Sequence, residues 1–247
     1  MTEPERYCDL HLHSTASDGS DAPADLPALA QAAGLSAIAL TDHDTTAGCA
    51  ACAEAAAAIG LDFVPGIELS ADPASVRDPT GPGDPEATST LHILGYHIDP
   101  ADAGLAELEQ RLQAARAERN PAMVERLNEL GVRMDYDEVL ELAKQQQAES
   151  VGRPHIGQLL IAKGYVKSMH EAFSRYIGEG GAAYVRKDRL TAADAIAAIH
   201  RAGGLASLAH PVQLKLPDAE VLELVVKRMA EMGLDAIEAW HSDHQPA

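Results

Sequence analysis

The sequence predicts an α/β fold built on a parallel sheet and interrupted by a helical insert. Three observations predict it. Short apolar runs alternate with Ala-rich helical stretches over the first hundred residues. From Asp102 to about Ala182 the pattern changes to consecutive helices, and from Thr191 the strand–helix alternation returns. Strand, helix, strand with short links is the pattern of parallel βαβ construction.

In order, Tyr7 to His11 reads as a strand and Asp25 to Ala33 as a helix stopped at Gly34. Ala37 to Leu40 is a second strand, Thr46 to Ile59 a helix stopped at Gly60, Phe63 to Ile67 a third strand and Leu91 to Tyr96 a fourth. Asp72 to Thr90 is rich in Pro, Gly, Asp, Ser and Thr and predicts an exposed loop. The insert reads as helices over Leu105–Arg119, Pro121–Leu130, Tyr136–Ala143, His155–Lys163 and Met169–Ile177, with Ala182–Val185 as its one strand-like stretch. Thr191 caps a helix running to Ala202. Leu205–Ala209 and Ala236–Trp240 are strands flanking a helix over Pro217–Met232. The chain is thus expected to divide at 1–101, 102–187 and 188–247, with the middle part inserted into the fold of the outer two. No repeat of 20–50 residues interrupts this reading.

Composition narrows the function. The chain has 247 residues with 46% apolar but only 4% aromatic, so small aliphatics fill the core. Its 19 Lys and Arg stand against 38 Asp and Glu, a net charge of −19. That disfavours a protein that coats duplex DNA, whose affinity comes largely from basic surface. A nucleotide or RNA held in a local basic or metal-filled pocket stays open. Three cysteines make no disulfide scaffold. The polar start, Met1 to Arg6, is unlike a signal peptide, and no apolar run approaches the ~20 residues of a membrane span. The expectation is a soluble cytoplasmic protein.

The eleven histidines are the unusual feature, because the strands end in metal-capable side chains. The first runs into His11-Leu12-His13, the second into Thr41-Asp42-His43-Asp44, and the third into Glu68. The fourth carries His92 at its start and His97 past its end. The later strands end in His210-Pro211 and Trp240-His241. In α/β sheets and barrels the active site gathers at the carboxyl ends of the strands. Alternation puts His11 and His13 on one face, so both can converge on one ion. Imidazole with carboxylate suits Zn, Mn or Fe. Other features read more plainly. Cys49-Ala50-Ala51-Cys52 is a lone pair of small helix residues, Cys8 a core strand residue, and His170 and His200 core histidines. Arg116 and Arg119 share a helix face, leaving an anion site and an ordinary solvated face equally open. Gly152-Arg153-Pro154-His155 places another Arg and His at a helix start.

These residues resemble the PHP (polymerase and histidinol phosphatase) superfamily. The ordered motifs are Asp9-Leu10-His11-Leu12-His13-Ser14, Asp18-Gly19, Thr41-Asp42-His43-Asp44, Gly66-Ile67-Glu68 and Ala209-His210-Pro211. His92-Ile93-Leu94-Gly95-Tyr96, Arg116 to Asn120 and Gly152 to His155 resemble its stand-alone TrpH/YciV-like branch of 3′,5′-nucleoside bisphosphate phosphatases and 5′→3′ exoribonucleases. The resemblance implies a distorted (β/α)7 barrel with a helical insert and two to three divalent metals, Mn2+ first, with Fe2+ or Zn2+ as alternatives. His11, His13 and Glu68 would hold one ion. Glu68 would bridge to a second with His92 and His210, with His97 as runner-up for His92, and Asp18 and His43 would hold a third. Arg116, Arg119, Asn120, Arg153 and His155 would clamp phosphate or nucleotide, and Asp18, His43 and His155 are the candidates for proton transfer.

The implied activity is hydrolysis of nucleotide phosphate esters, 3′,5′-nucleoside bisphosphates or short 5′-phosphorylated RNA, by metal-activated water. The family pattern continues to a last strand ending in Gly-Ser-Asp-aromatic-His, and on this comparison the barrel is expected to be C-terminally incomplete, with His241, Asp243 or His244 as substitutes for its ligands. That departure keeps a non-catalytic metal- or nucleotide-binding module as the alternative, beside a histidinol-phosphatase-like phosphatase. An amidohydrolase-type site fits less well, since its later ligand set has no convincing counterpart here.

Overall fold

The computed structural model describes residues 6–76, 90–146, 148, 151–185 and 189–242. Six strands form one curled sheet in sequence order: β1 (Tyr7–Leu12), β2 (Leu35–Leu40), β3 (Asp62–Ala71), β4 (Leu91–Tyr96), β5 (Leu205–Leu208) and β6 (Ala236–Ile237). The α/β class holds, and the sheet expected to be parallel is mixed. The pairs β1–β2, β2–β3 and β5–β6 are parallel, but β4 runs antiparallel to both neighbours. The register shows the reversal directly, with Glu68 opposite Leu94 and Ser70 opposite His92 in an antiparallel ladder.

Helices α1 (Leu26–Ala32) and α2 (Cys49–Ile59) cover β1 and β2 around a small core of Ile38, Leu40, Cys52 and Ala56. The main core lies between β3, β4, β5 and two helices described below, with Ile67, Leu69, Ile93, Ile196, Ile199 and Leu208 fully shielded from water. These strands are buried over consecutive residues, and removal of their Ile and Leu side chains from water drives this layer.

The helical stretch starts with α3 (Ala103–Glu129), capped by Asp102, whose carboxylate accepts from the Leu105 N–H at 2.8 Å. The two helices expected here are one 27-residue helix with Pro121 inside it. Proline removes one internal hydrogen bond. Burial of Leu112, Met123, Val124 and Leu127 on both sides of it outweighs that loss. Helices α4 (Tyr136–Gln145), α5 (Arg153–Ala162) and α6 (Met169–Ala172) follow, and α6 runs into a π-helical turn at Phe173–Ile177. These elements share their own apolar core, from Met123 to Ala183. Ala182–Val185 is not a strand. The N–H groups of Ala182 and Ala183 instead fold back on the π-turn, donating to the Arg175 and Tyr176 carbonyls, both at 2.9 Å. Helix α7 (Ala192–Arg201), capped by Thr191, and α8 (Ala219–Glu231) complete the chain's helices and pack on the main core. The expected strand Ala236–Trp240 is only two residues long, and Trp240 is exposed. Of the expected loop Asp72–Thr90, residues 77–89 lie outside the described residues, and Pro73–Val76 form one 3-10 turn. Among the described residues no helix is long and apolar enough to cross a membrane.

Candidate metal centre and adjoining cavity

Glu68 is the centre of the site. It lies on β3 and is wholly buried. Its placement follows from backbone pairing: β2 runs on past Leu40 so that His43 bridges Glu68, with Glu68 N–H donating to Asp42 O and Asp44 N–H to Glu68 O. Five imidazoles close a ring around its carboxylate. Successive ring centroids lie 5.1 Å apart for His11–His13, 4.5 Å for His13–His43, 4.9 Å for His43–His92, 5.2 Å for His92–His210 and 5.6 Å for His210–His11. Glu68 Oε1 sits 2.8 Å from both His92 Nδ1 and His210 Nε2. Oε2 sits 2.9 Å from His43 Nδ1, 3.2 Å from His13 Nε2 and 3.3 Å from His11 Nε2.

The loop after β1 brings in Asp18. Buried Asp42 anchors that loop by accepting from Ser14 N–H at 2.7 Å and from the Ser14 and Ser17 hydroxyls, both at 2.6 Å. Gly19 is required there, since a Cβ would stand 2.3 Å from the His13 carbonyl oxygen. Asp18 then faces His13 Nδ1 and His43 Nε2, each at 3.7 Å.

The donor atoms fit divalent ions. His43 Nδ1 and Glu68 Oε2 face each other at 2.9 Å without hydrogen-bond geometry, and buried His210 Nδ1 has no hydrogen-bond partner among the described residues, an arrangement a folded protein rarely leaves uncompensated. Two ligands each ~2.1 Å from one ion stand roughly 3.0–3.4 Å apart in octahedral or tetrahedral geometry. The separations around Oε2 and Asp18 fall close to that spacing. Among the described residues four donor sets each bring their ligand atoms within 4.8 Å of one another: His11–Glu68–His210, His43–Glu68–His92, His13–Asp18–His43 and His11–Glu238–His241.

Charge is strongly redistributed in this cluster. Burial opposes ionisation of Glu68, but His43 and His92 overcome it and hold the carboxyl well below its usual range. Burial also opposes charge on His11, yet hydrogen bonds to Glu238 and Glu68 push it up to about 10. Burial is likewise overcome at His43, by Glu68 and Asp18, which push it up to about 9. For His92 burial wins, lowering it to about 4.

The cluster opens into a cavity of about 1140 Å³. Asp18, His43 and His92 line it, and so do Arg116, Arg119, Arg153, Arg189 and Lys215. Among the described residues, five cations line the cavity beside two acids, Asp18 and Glu179. In so acidic a protein that is a locally anion-selective surface. Arg116 pairs with buried Asp44, which also accepts from Ser70 N–H at 2.8 Å. Arg119 is only 7% exposed and donates twice to Asn120 Oδ1, at 3.1 and 2.8 Å. Asn120 is fixed in turn through Val151 O at 2.7 Å. Among the described residues Arg119 has no acidic partner, and Arg153 makes neither ion pair nor hydrogen bond. Buried His155 accepts the Gly152 N–H on Nδ1 at 3.0 Å, which leaves the proton on Nε2. Burial lowers its pKa and keeps it neutral.

Several sequence expectations change here. His97 is exposed and outside the cluster. His170 is no core residue but an exposed lining residue of the cavity, and His200 is exposed and pairs with Asp235 at 2.8 Å. Cys8 is exposed because β1 is an edge strand, whereas Cys49 and Cys52 are buried thiols. Sequence reading missed Glu238. Its Oε1 lies 3.0 Å from His11 Nδ1, and its Oε2 accepts from His210 N–H at 2.6 Å, fixing His210 in a backbone conformation with φ of 25°. The rule that found the other residues, a polar group ending a strand, applies to it too, directly after Ala236-Ile237. His241 joins the cluster, 5.5 Å from the His11 ring and 5.3 Å from that of His210, while Asp243 and His244 lie outside the described residues.

Comparison with known proteins agrees with this architecture. The PHP domain model matches residues 9–205. A 5′-3′ exoribonuclease of Haemophilus influenzae is 34% identical over 88% of this chain and 73% of its own. A 3′,5′-nucleoside bisphosphate phosphatase of Chromobacterium violaceum is 31% identical over 95% of this chain and 78% of its own. A Bifidobacterium adolescentis protein described as a metal-dependent phosphoesterase superposes with a TM-score of 0.80, at 31% identity, over 98% of this chain and 80% of its own. With most of its length matched by one family model and by such relatives, the chain belongs to the PHP domain family and is a metal-dependent hydrolytic phosphoesterase.

Proposed function

We propose that the substrates are nucleotides: 3′,5′-nucleoside bisphosphates, short 5′-phosphorylated RNA, or both. The observation that carries this is the single cavity shared by the imidazole–carboxylate cluster and by guanidiniums that lack acidic partners. A site with more cations than its own structure satisfies is built for a ligand with more than one anionic group.

His11, His13, Asp18, His43, Glu68, His92 and His210 are the residues that hold the ions, two to three per chain, and Glu238 and His241 are placed to add to them. Mn2+ is the ion proposed for this mixed N/O set, with Fe2+ or Zn2+ as alternatives. When bound, the ions supply an acidified water and neutralise the phosphoryl oxygens. The chain does the rest. Arg119 and Arg153 grip the phosphate with their planar forks, and Arg116 is held in place by Asp44. Asn120 orients Arg119, and His155 offers a neutral N–H donor from Nε2. Asp18 and His43, facing each other at the cavity, would take up the proton released by the attacking water, and neutral His155 would offer its Nε2–H to the leaving oxygen. A nucleotide substrate and three free thiols fit the reducing cytoplasm.

The test is phosphate release from adenosine 3′,5′-bisphosphate and from short 5′-phosphorylated RNA after chelation and reloading with Mn2+. Turnover that depends on metal and disappears in His43→Ala supports the reading. A metal-loaded protein that releases no phosphate from either compound sinks it.

A further inference from the structure

We propose that Phe173, with the guanidinium of Arg153 lying over it, is the platform on which the nucleobase of the substrate stacks. This rests on the nucleotide reading above and adds to it a requirement for a base.

The cavity is not basic throughout. Pro154, Met169, Phe173 and Val212 give it an apolar wall that a bare sugar phosphate does not need. Phe173 is half-buried, with one part packed on the helical core and another lining the cavity. The Arg153 guanidinium carbon sits 5.3 Å from its ring centroid, and among the described residues that guanidinium makes no ion pair or hydrogen bond. A planar cation on an aromatic ring forms a flat layered surface, and the donor edges of the guanidinium remain available to a phosphate. Nucleobases stack on such surfaces whatever their identity, because every base offers a π-face.

The platform is rigid before any ligand arrives. Phe173 opens the π-turn, whose closing bond runs from Gly178 N–H to the Phe173 carbonyl at 2.8 Å. A Cβ on Gly178 would lie 2.6 Å from that oxygen, so only glycine allows the closure. On the other side Met169 is wedged against α5, where a Cβ on Gly157 would come within 2.5 Å of its sulfur. Single π-turns of this kind recur at functional sites. A surface fixed in advance loses little entropy on binding.

The experiment compares adenosine 3′,5′-bisphosphate with the same bisphosphate carrying hydrogen in place of the base, in wild type, Phe173→Leu and Phe173→Trp. The wild-type kcat/KM ratio is expected to favour the base-bearing compound by roughly 5- to 150-fold. Phe173→Leu collapses that ratio toward one and Phe173→Trp preserves it. A wild-type ratio near one, or a Phe173→Leu variant that lowers both compounds by the same factor, overturns the platform and assigns Phe173 to packing alone. Calorimetric Kd values of the two compounds for metal-free protein give the same ratio without turnover. Absent hydrolysis with a retained Kd preference would therefore sink the nucleotidase reading and leave the platform standing.

Discussion

Arg119→Met is expected to make the protein more stable and a worse enzyme. Arg119 is a buried cation without an acidic partner, held only by the neutral oxygen of Asn120. Burial, with repulsion from Arg153 and Arg116, pushes its pKa down to about 9. Because the folded-state value is depressed, the cost of carrying the charge is present in full below about pH 9, falls as pH rises from there, and is gone once the unfolded value is passed. At about 1.4 kcal/mol per tenfold change, that gap bounds the cost at about 5 kcal/mol. Water in the cavity and the packed aliphatic stem reduce it, leaving a net gain of about 1–3 kcal/mol for a methionine of similar reach. For a chain of this size that raises Tm by about 3–10 °C in phosphate-free buffer. The same change removes charge-assisted hydrogen bonds to phosphate, weakening bisphosphate binding by about tenfold to a hundredfold. Thermal melts with and without substrate read both effects. A variant that melts lower than wild type while binding the bisphosphate unchanged would show that Arg119 is a structural residue and refute the reasoning.

Metal uptake at pH 7 should release about two protons, because His11 at about 10 and His43 at about 9 are protonated in the metal-free protein and must be neutral to coordinate. Titration calorimetry in buffers of different ionisation enthalpy measures this, and affinity should rise with pH; release of none would contradict the assignment. Asp42→Ala strips three hydrogen bonds from the loop that carries Asp18, so kcat and metal content should both fall, at a stability cost of about 2–4 kcal/mol seen in denaturant unfolding. Cys52→Ser buries a hydroxyl where a thiol pushed up to about 12 now sits. It should cost about 1–3 kcal/mol and leave kcat intact, and a loss of activity at unchanged fold would give the cysteine pair a chemical role.

The elements that repeat a period were legible in the sequence. Helix stops at Gly34 and Gly60 and the cap at Thr191 fall where local chemistry demands them. The ring around Glu68 was legible because strand ends, not folding detail, decide which side chains meet. What could not be read was set by longer-range causes. The direction of β4 is set by its pairing with β3 and β5, residues far away in the chain or across a turn, not by the apolar run Leu91–Tyr96 itself. Pro121 signals a break, yet burial of its neighbours keeps α3 whole. Asp44 looks like a turn residue and turns out to pair with Arg116, 72 residues away. The π-turn has no sequence period at all, and with it the placement of Phe173 was invisible.

One consequence concerns how the molecule holds together. Strands β1 and β6 are the two free margins of the sheet, and no backbone ladder joins them among the described residues. What fastens them is the contact between His11 and Glu238, 227 positions apart, with the strained His210 latched to the same carboxylate. Side chains proposed to hold the ions are thus also the clasp of the sheet. Stripping the ions should loosen both margins together, so amide exchange after chelation is expected to accelerate first along Tyr7–Leu12 and Ala236–Ile237, well ahead of the interior strands.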